Sequence, residues 1–381
     1  MQKIREYLET RRSEMLGLLE RLVNIDSGSY HQPGVDECGA ILAEELRALG
    51  FSTAIVPESD RGNHVRAERP GRGTKRLFLS AHLDTVCPAG TVARRPFKID
   101  GDLGYGPGVG DMKGGIVQMI YALKALRHLG RDTPPISVFL TGDEELGSIR
   151  GRPHIEAEAR RSDWCLVMEP SIAPGVIGIR RWGVGVFYLT IRGHAAHVLD
   201  PDTPGVNASR ELAFKILALE GLSDPVRGIK VSVNLVRGGS ARQVTASEAR
   251  ADIDVRMREA GQMAPLDARI REVAGRPVLP GIALEVTGGI SRPPMEPSPR
   301  TEAFLGLAAD VGAAIGIDVR PIEKMGGSDG CFTAALGVPT LDAMGPLCHD
   351  ICGETERIEL SSLAPRTRLI AGIVERLAAE A

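Results

Sequence analysis

At 381 residues the chain is longer than one hydrophobic core usually serves, so two domains are expected. Hydrophobic content of 43% and charged content of 25% suit a globular protein, and no run approaches the 18 apolar residues of a membrane span. A net charge of −3 and only 4% aromatic residues exclude a basic nucleic-acid surface, an anionic-membrane binder and a base-stacking platform.

The first residues form a charged amphipathic pattern without the apolar stretch of a secretory leader. The six cysteines (Cys38, Cys87, Cys165, Cys331, Cys348, Cys352) are scattered, so reduced thiols and a cytoplasmic location are expected. Cys348 and Cys352 flank His349, but no second Cys/His pair lies nearby, so a structural Cys/His zinc site is not expected. A helix is predicted over 2–24, from Ile4, Leu8, Met15, Leu18, Leu19 and Leu22 at helical spacing. Another runs from Val35 to Leu49 and closes on Gly50. Strands are predicted at Phe51 to Val56, His64 to Ala67 and Leu77 to Ser80. Residues 96–110, dense in glycine, read as loop, followed by a helix from Lys113 to Leu129. Ile136 to Thr141 and Trp164 to Met168 are continuous apolar strands. Alternating strand and helix predicts an α/β layered domain around a largely buried sheet.

Near Gly178 the texture changes. Strand 183–191, helix 204–219, strands 229–236 and 249–257, helix 264–274 and strand 282–287 follow the split βαβ order. Residues 180–292 are therefore expected to form an inserted α+β, ferredoxin-like domain. The proline-rich stretch 291–299 returns the chain to a first domain made of 1–179 and 293–381.

His82 and Asp84, two positions apart at a strand end, point the same way. Asp143, Glu144, Glu145 and Glu169 also follow apolar strands, and in such sheets sites form beyond the strand ends. His82, Asp111, Glu145 and Glu169, with His349, make a ligand set suited to zinc or a similar divalent ion. Three carboxylates fit two ions roughly 3.5–4 Å apart, with Asp111 as a plausible bridge. If Glu145 is a ligand, its neighbour Glu144 is free to act as a base, and Asp84 would orient His82. The glycines from Gly104 to Gly110 lack the ending of a phosphate loop, and neither Ser27 nor Ser80 lies in a nucleophile elbow. Of His194 and His197, one is expected to contact substrate. His31, His64, His128 and His154 read as structural.

These motifs resemble the M20 metallopeptidases over nearly the whole chain, on Ser80-Ala-His-Leu-Asp-Thr-Val86, Gly104-Tyr-Gly-Pro-Gly-Val-Gly-Asp-Met-Lys-Gly-Gly115, Thr141-Gly-Asp-Glu-Glu-Leu-Gly-Ser148, Met168-Glu-Pro170 and Gly326-Gly-Ser-Asp329. That family includes glutamate carboxypeptidases, succinyl-diaminopimelate desuccinylases and acetylornithine deacetylases. The resemblance implies a zinc-exopeptidase-like catalytic domain with two Zn2+ per chain, Co2+ or Mn2+ being substitutes. His82 and Glu169 would hold one ion, Glu145 and His349 the other, with Asp111 bridging and Glu144 as general base. It also implies a cis peptide after Asp111, a lid that mediates a homodimer, and an oxyanion contact from His197. Glutamate carboxypeptidases look most similar, with Arg256 and Arg292 matching arginines near their substrate. A guanidinium fork suits a carboxylate. Arg242 replaces the usual lid asparagine, the stretch Gly327-Ser-Asp-Gly330 leans toward the desuccinylases, and Arg242, Gly327 and Ser328 join Arg256, Arg292 and His197 as expected substrate contacts. The implied activity is hydrolysis of an amide next to a free carboxylate in a small peptide or N-acyl amino acid. The alternatives are an N-acyl-amino-acid deacylase and a non-catalytic metal-binding protein on the same scaffold.

Overall fold

The computed structural model describes residues 1–200 and 202–380. The chain divides into two compact units, Met1–Arg180 with Pro297–Glu323 and Ser328–Ala381, and Arg181–Glu296 with Lys324–Gly327. The first is a mixed six-stranded sheet covered by helices. Its strands run in the order Ser52–Val56, His64–Arg69, Ile136–Thr141, Leu77–His82, Trp164–Val167 and Thr340–Leu341. Every residue of Leu77–His82, Ile136–Thr141 and Trp164–Val167 is buried. That is why these strands read as unbroken apolar runs rather than as alternation.

Successive side chains leave a strand on opposite faces. Leu77 and Leu79 join the core that includes the helices Gly115–His128 and Leu363–Glu380, whereas Phe78 packs in a second cluster with Phe139, Ile155 and Phe332. The three central strands are parallel, pairing His82 with Thr141 and Leu77 with both Ile136 and Trp164. Their C-terminal ends therefore emerge at one edge of the sheet, which places the residues after them together.

Two local expectations are corrected. The 2–24 helix is two, Gln2–Thr10 and Arg12–Val23, and Arg11 leaves helical geometry between them at φ −105° and ψ 9°. The Thr10 hydroxyl donates to the Tyr7 carbonyl, offering the backbone an alternative to continuing. Residues 96–110 are not all loop. Lys98–Asp100 and Leu103–Tyr105 pair as a hairpin, and Leu103–Tyr105 pairs on its other side with Arg357–Glu359. That second partner lies some 250 positions away, beyond the reach of local pattern.

The second unit is a four-stranded antiparallel sheet in the order Ile229–Gly238, Glu248–Met257, Gly183–Arg192 and Ala283–Arg292. Phe187, Leu189 and Ile191 alternate into a core shared with Leu212 and Leu219 of helix Ala208–Glu220 and Leu266 and Ile270 of helix Met263–Gly275. The α/β fold class with a ferredoxin-like α+β insertion is thus observed. Among the described residues no helix is long and apolar enough to cross a membrane.

Candidate metal centre

His82 is the last residue of its strand and is 2% exposed. Its Nδ1 lies 2.9 Å from the Asp84 carbonyl oxygen. A carbonyl can only accept, so Nδ1 carries hydrogen and Nε2 is the atom left to serve as a ligand. Nε2 lies 3.1 Å from Asp111 Oδ1 and 3.5 Å from Glu169 Oε1. Burial opposes charge on this ring, but hydrogen bonds to Asp111 and Glu169 and the charges of Asp111 and Glu144 hold it well above the usual imidazole range.

Asp84 acts differently from the simple carboxylate–histidine pairing. Its Oδ1 is 3.6 Å from His82 Nδ1, longer than a hydrogen bond. That oxygen accepts instead from the Glu144 amide at 3.0 Å. Oδ2 accepts from the Ser29 hydroxyl at 2.7 Å and the Glu145 amide at 3.2 Å. Asp84 therefore meets the ring through its main chain, while its side chain fixes the Glu144-Glu145 turn. Burial pushes the Asp84 carboxyl up, against His82 and these donors. Asp143 accepts from the amides of Arg150 at 2.7 Å and Gly151 at 3.2 Å, closing the same turn.

Asp111 is delivered by the glycine-rich segment. Gly108 adopts φ 69°, a left-handed conformation that suits glycine, and a Cβ on Gly110 would stand 2.2 Å from Cys348 Sγ. The Asp111-Met112 peptide is cis. Glu356 ties this loop down: Oε1 accepts from the amides of Gly110 at 2.8 Å and Asp111 at 3.0 Å, and Oε2 from Gly108 at 3.2 Å. Burial pushes Glu356 up to about 7 despite these donors. The buried Lys113 ammonium donates to the Ile25 carbonyl at 2.9 Å, and burial lowers its pKa.

His82, Asp111 and Glu145 offer ligand atoms within 4.8 Å of one another, as do His82, Glu144 and Glu169. Burial and the nearby Asp111 charge push Glu145 up to about 10. So many carboxylates in little water repel one another, and a divalent cation among them reverses that penalty. One imidazole nitrogen with several carboxylate oxygens is also a donor set that zinc accepts. The donors fit a metal.

His349 is half-exposed on Cys348–His349, and its Nε2 lies 2.9 Å from Glu359 Oε1. Neither it nor Cys352 is in those ligand groups. The side chain that reaches Asp111 from this segment is Cys352, whose Sγ lies 3.1 Å from Asp111 Oδ2 and 4.0 Å from Glu145 Oε1. Burial and those two carboxylates push its thiol up. Sequence reading assigned no role to Ser29, Lys113, Cys352 or Glu356. The only local signal for Glu356 was its place soon after His349.

The other expected substrate contacts lie mostly in the second unit. His197 is exposed, bridges Val244, and accepts from the Leu199 amide at Nδ1, 3.3 Å away. Arg242 is exposed. Arg256 makes a two-pronged pair with Asp254 on its own strand, both contacts 2.8 Å. Arg292 is buried at its strand end, where a Cβ on Gly327 would approach its Cδ to 2.9 Å. In the first unit Ser328 is buried, donating to Asp342 Oδ2 at 2.5 Å and accepting from the Gly330 amide at 3.1 Å.

Carboxypeptidase G2 of Pseudomonas sp. (strain RS-16) is 28% identical over 370 residues, 95% of this chain and 88% of that protein. The succinyl-diaminopimelate desuccinylase of Alkalilimnicola ehrlichii is 28% identical over 96% of this chain and 99% of its own. Among solved structures, the Bacillus subtilis YXEP protein, a dinuclear metal-binding peptidase from the M20 family, superposes with a TM-score of 0.71 at 16% identity, covering 97% of this chain and 99% of that one. The family described as peptidase family M20/M25/M40 matches residues 78–376. With the sheet, the ligand groups and a match over most of its length, the chain belongs to peptidase family M20/M25/M40, a family of hydrolases.

Proposed function

We propose that this hydrolase cleaves an amide or peptide bond next to a free carboxylate, as a metal-dependent carboxypeptidase of the glutamate carboxypeptidase type. The carrying observation is the convergence of His82, Asp111, Glu144, Glu145 and Glu169 beyond one edge of the parallel strands. These residues would hold two divalent ions, zinc first and cobalt or manganese as substitutes, with His82 and Glu169 on one side, Glu145 on the other and Asp111 between. Such ions, when bound, supply Lewis acidity and make water a better nucleophile at neutral pH. Glu144 takes the proton from the attacking water and returns it to the leaving amine nitrogen, so water is consumed and a carboxylate and an amine are released. Asp84 and Ser29 keep Glu144 and Glu145 in place through the turn amides.

His197, Arg242, Arg256, Arg292, Gly327 and Ser328 are proposed as substrate contacts, and a homodimer through the inserted unit is proposed as the working assembly. Because the Arg256 fork already holds Asp254 and Arg242 is exposed, Arg242 is the first arginine to substitute. A second reading, an N-acyl-amino-acid deacylase, is favoured by the desuccinylase relative matching along 99% of its length. The non-catalytic reading is not retained, because the base Glu144 is present beside the ligand groups. Zinc- or cobalt-loaded protein should be assayed against peptidyl and N-acyl glutamates, N-succinyl diamino acids, N-acetyl amino acids and simple dipeptides. Preference for a C-terminal acidic residue supports the carboxypeptidase. Preference for the N-succinyl compound replaces it with the deacylase, and turnover only of substrates lacking an adjacent carboxylate overturns both.

A further inference from the structure

We infer that Cys352 supplies a thiolate ligand to one of the two metal ions, in the position that His349 would otherwise fill. Asp111 presents its two oxygens in two directions, Oδ1 toward His82 at 3.1 Å and Oδ2 toward Cys352 at 3.1 Å. Asp111 and Glu145, which share a ligand group with His82, are thus the two carboxylates that Cys352 reaches. A zinc ion takes sulfur at about 2.3 Å and carboxylate oxygen at about 2.0–2.2 Å, so two donors on one tetrahedral ion stand about 3.5 Å apart. The Cys352 sulfur stands 3.1 and 4.0 Å from its two carboxylate neighbours, on either side of that spacing. His349 is meanwhile engaged by Glu359.

The segment between them is held in shape. The Asp350 carboxylate accepts from the Thr355 amide at 2.8 Å and its hydroxyl at 2.6 Å, and Arg95 donates to the Gly353 carbonyl at 3.1 Å. Ligation replaces the S–H bond with a metal–sulfur bond and releases the proton to solvent. A sulfur donor selects thiophilic ions, so this position takes zinc or cobalt in preference to manganese or magnesium.

The inference rests on the two-metal centre proposed above, and cobalt separates the two. Full-length protein stripped with a chelator is titrated with Co2+, recording bound ions per chain and the near-ultraviolet thiolate-to-cobalt charge-transfer band. The expected result is two ions with the band in the native protein and in His349→Ala and Cys348→Ser. The band is lost in Cys352→Ser, and in Cys352→His even where two ions still bind. Protection of Cys352 from iodoacetamide by bound cobalt, read by peptide mass, is the second measurement. Two bound ions without the band, or a band that survives in Cys352→His, overturns the thiolate and leaves the metal centre standing. Failure of the native protein to bind cobalt overturns both.

Discussion

Glu144 and Glu145 are neighbours in the chain, held by one turn, and the proposed function gives each a different task. The Glu144→Gln variant keeps the shape but loses the proton acceptor. Turnover is expected to fall roughly a hundred- to ten-thousandfold, the usual worth of a positioned acid–base group, while metal content stays at the native level. Substantial activity in metal-replete Glu144→Gln would remove it as the base. Asp84→Asn tests the turn. An amide nitrogen would then face one of the donors that both carboxylate oxygens now accept. The expected loss is about 1–3 kcal/mol for a buried donor left without an acceptor, read as a lower denaturation midpoint, together with reduced turnover. His82 keeps its main-chain contact to residue 84, so ion binding should survive. Loss of metal with unchanged stability would show that the side chain orients the ring after all.

At the scale of elements, the proposed metal centre depends on loops that brace one another. Glu356 binds three amides of the Gly108–Asp111 segment from a point about 245 positions later in the chain. Glu356→Ala should cost several kcal/mol, at about 1–3 kcal/mol for each stranded buried amide, and should cut metal affinity. An unchanged denaturation curve and metal titration would sever that link. His64 braces the other side. It is fully buried, and its Nδ1 accepts from the Gly142 amide at 2.8 Å, just before Asp143. Burial holds its imidazole below the ordinary value. The folded chain therefore resists a proton that the unfolded chain accepts, so this contribution is complete above about pH 6.5 and is lost as pH falls below that. Metal-free His64→Asn, which keeps an acceptor near Nδ1, should show a flatter fall in melting temperature between pH 7.5 and 5.5 than the native chain. Parallel slopes would exclude His64 as the source.

These braces also mark what was legible in the sequence. His82, Glu144, Glu145 and Glu169 announce themselves because each follows an apolar strand, and parallel pairing brings strand ends together. Asp111 was legible as a third carboxylate of the ligand set and a plausible bridge. Ser29, Cys352 and Glu356 were not, because each reaches the centre from a distant loop whose path depends on tertiary packing. The hairpin at Lys98–Asp100 and Leu103–Tyr105 was missed for the same reason, its partner strand lying near residue 358.

Across the whole molecule, binding and folding are linked. Zinc that binds the folded centre and not the unfolded chain should raise the melting temperature, by the equivalent of about 2.7 kcal/mol at a hundredfold excess over its dissociation constant. A chelator should return it to the metal-free value, and a midpoint indifferent to both would count against ion binding by the folded centre. The order of donors along the chain has a consequence for synthesis. His82, Asp111, Glu145 and Glu169 all leave the ribosome before Arg181–Glu296, a unit with a core of its own, and the strand Thr340–Leu341 and the segment carrying Cys352 follow it. Until then Trp164–Val167 is an open sheet edge, and four acidic and imidazole groups gather without their last neighbours. With the proposed ligands, the nascent chain would carry an unfinished centre until its C-terminal segment emerged.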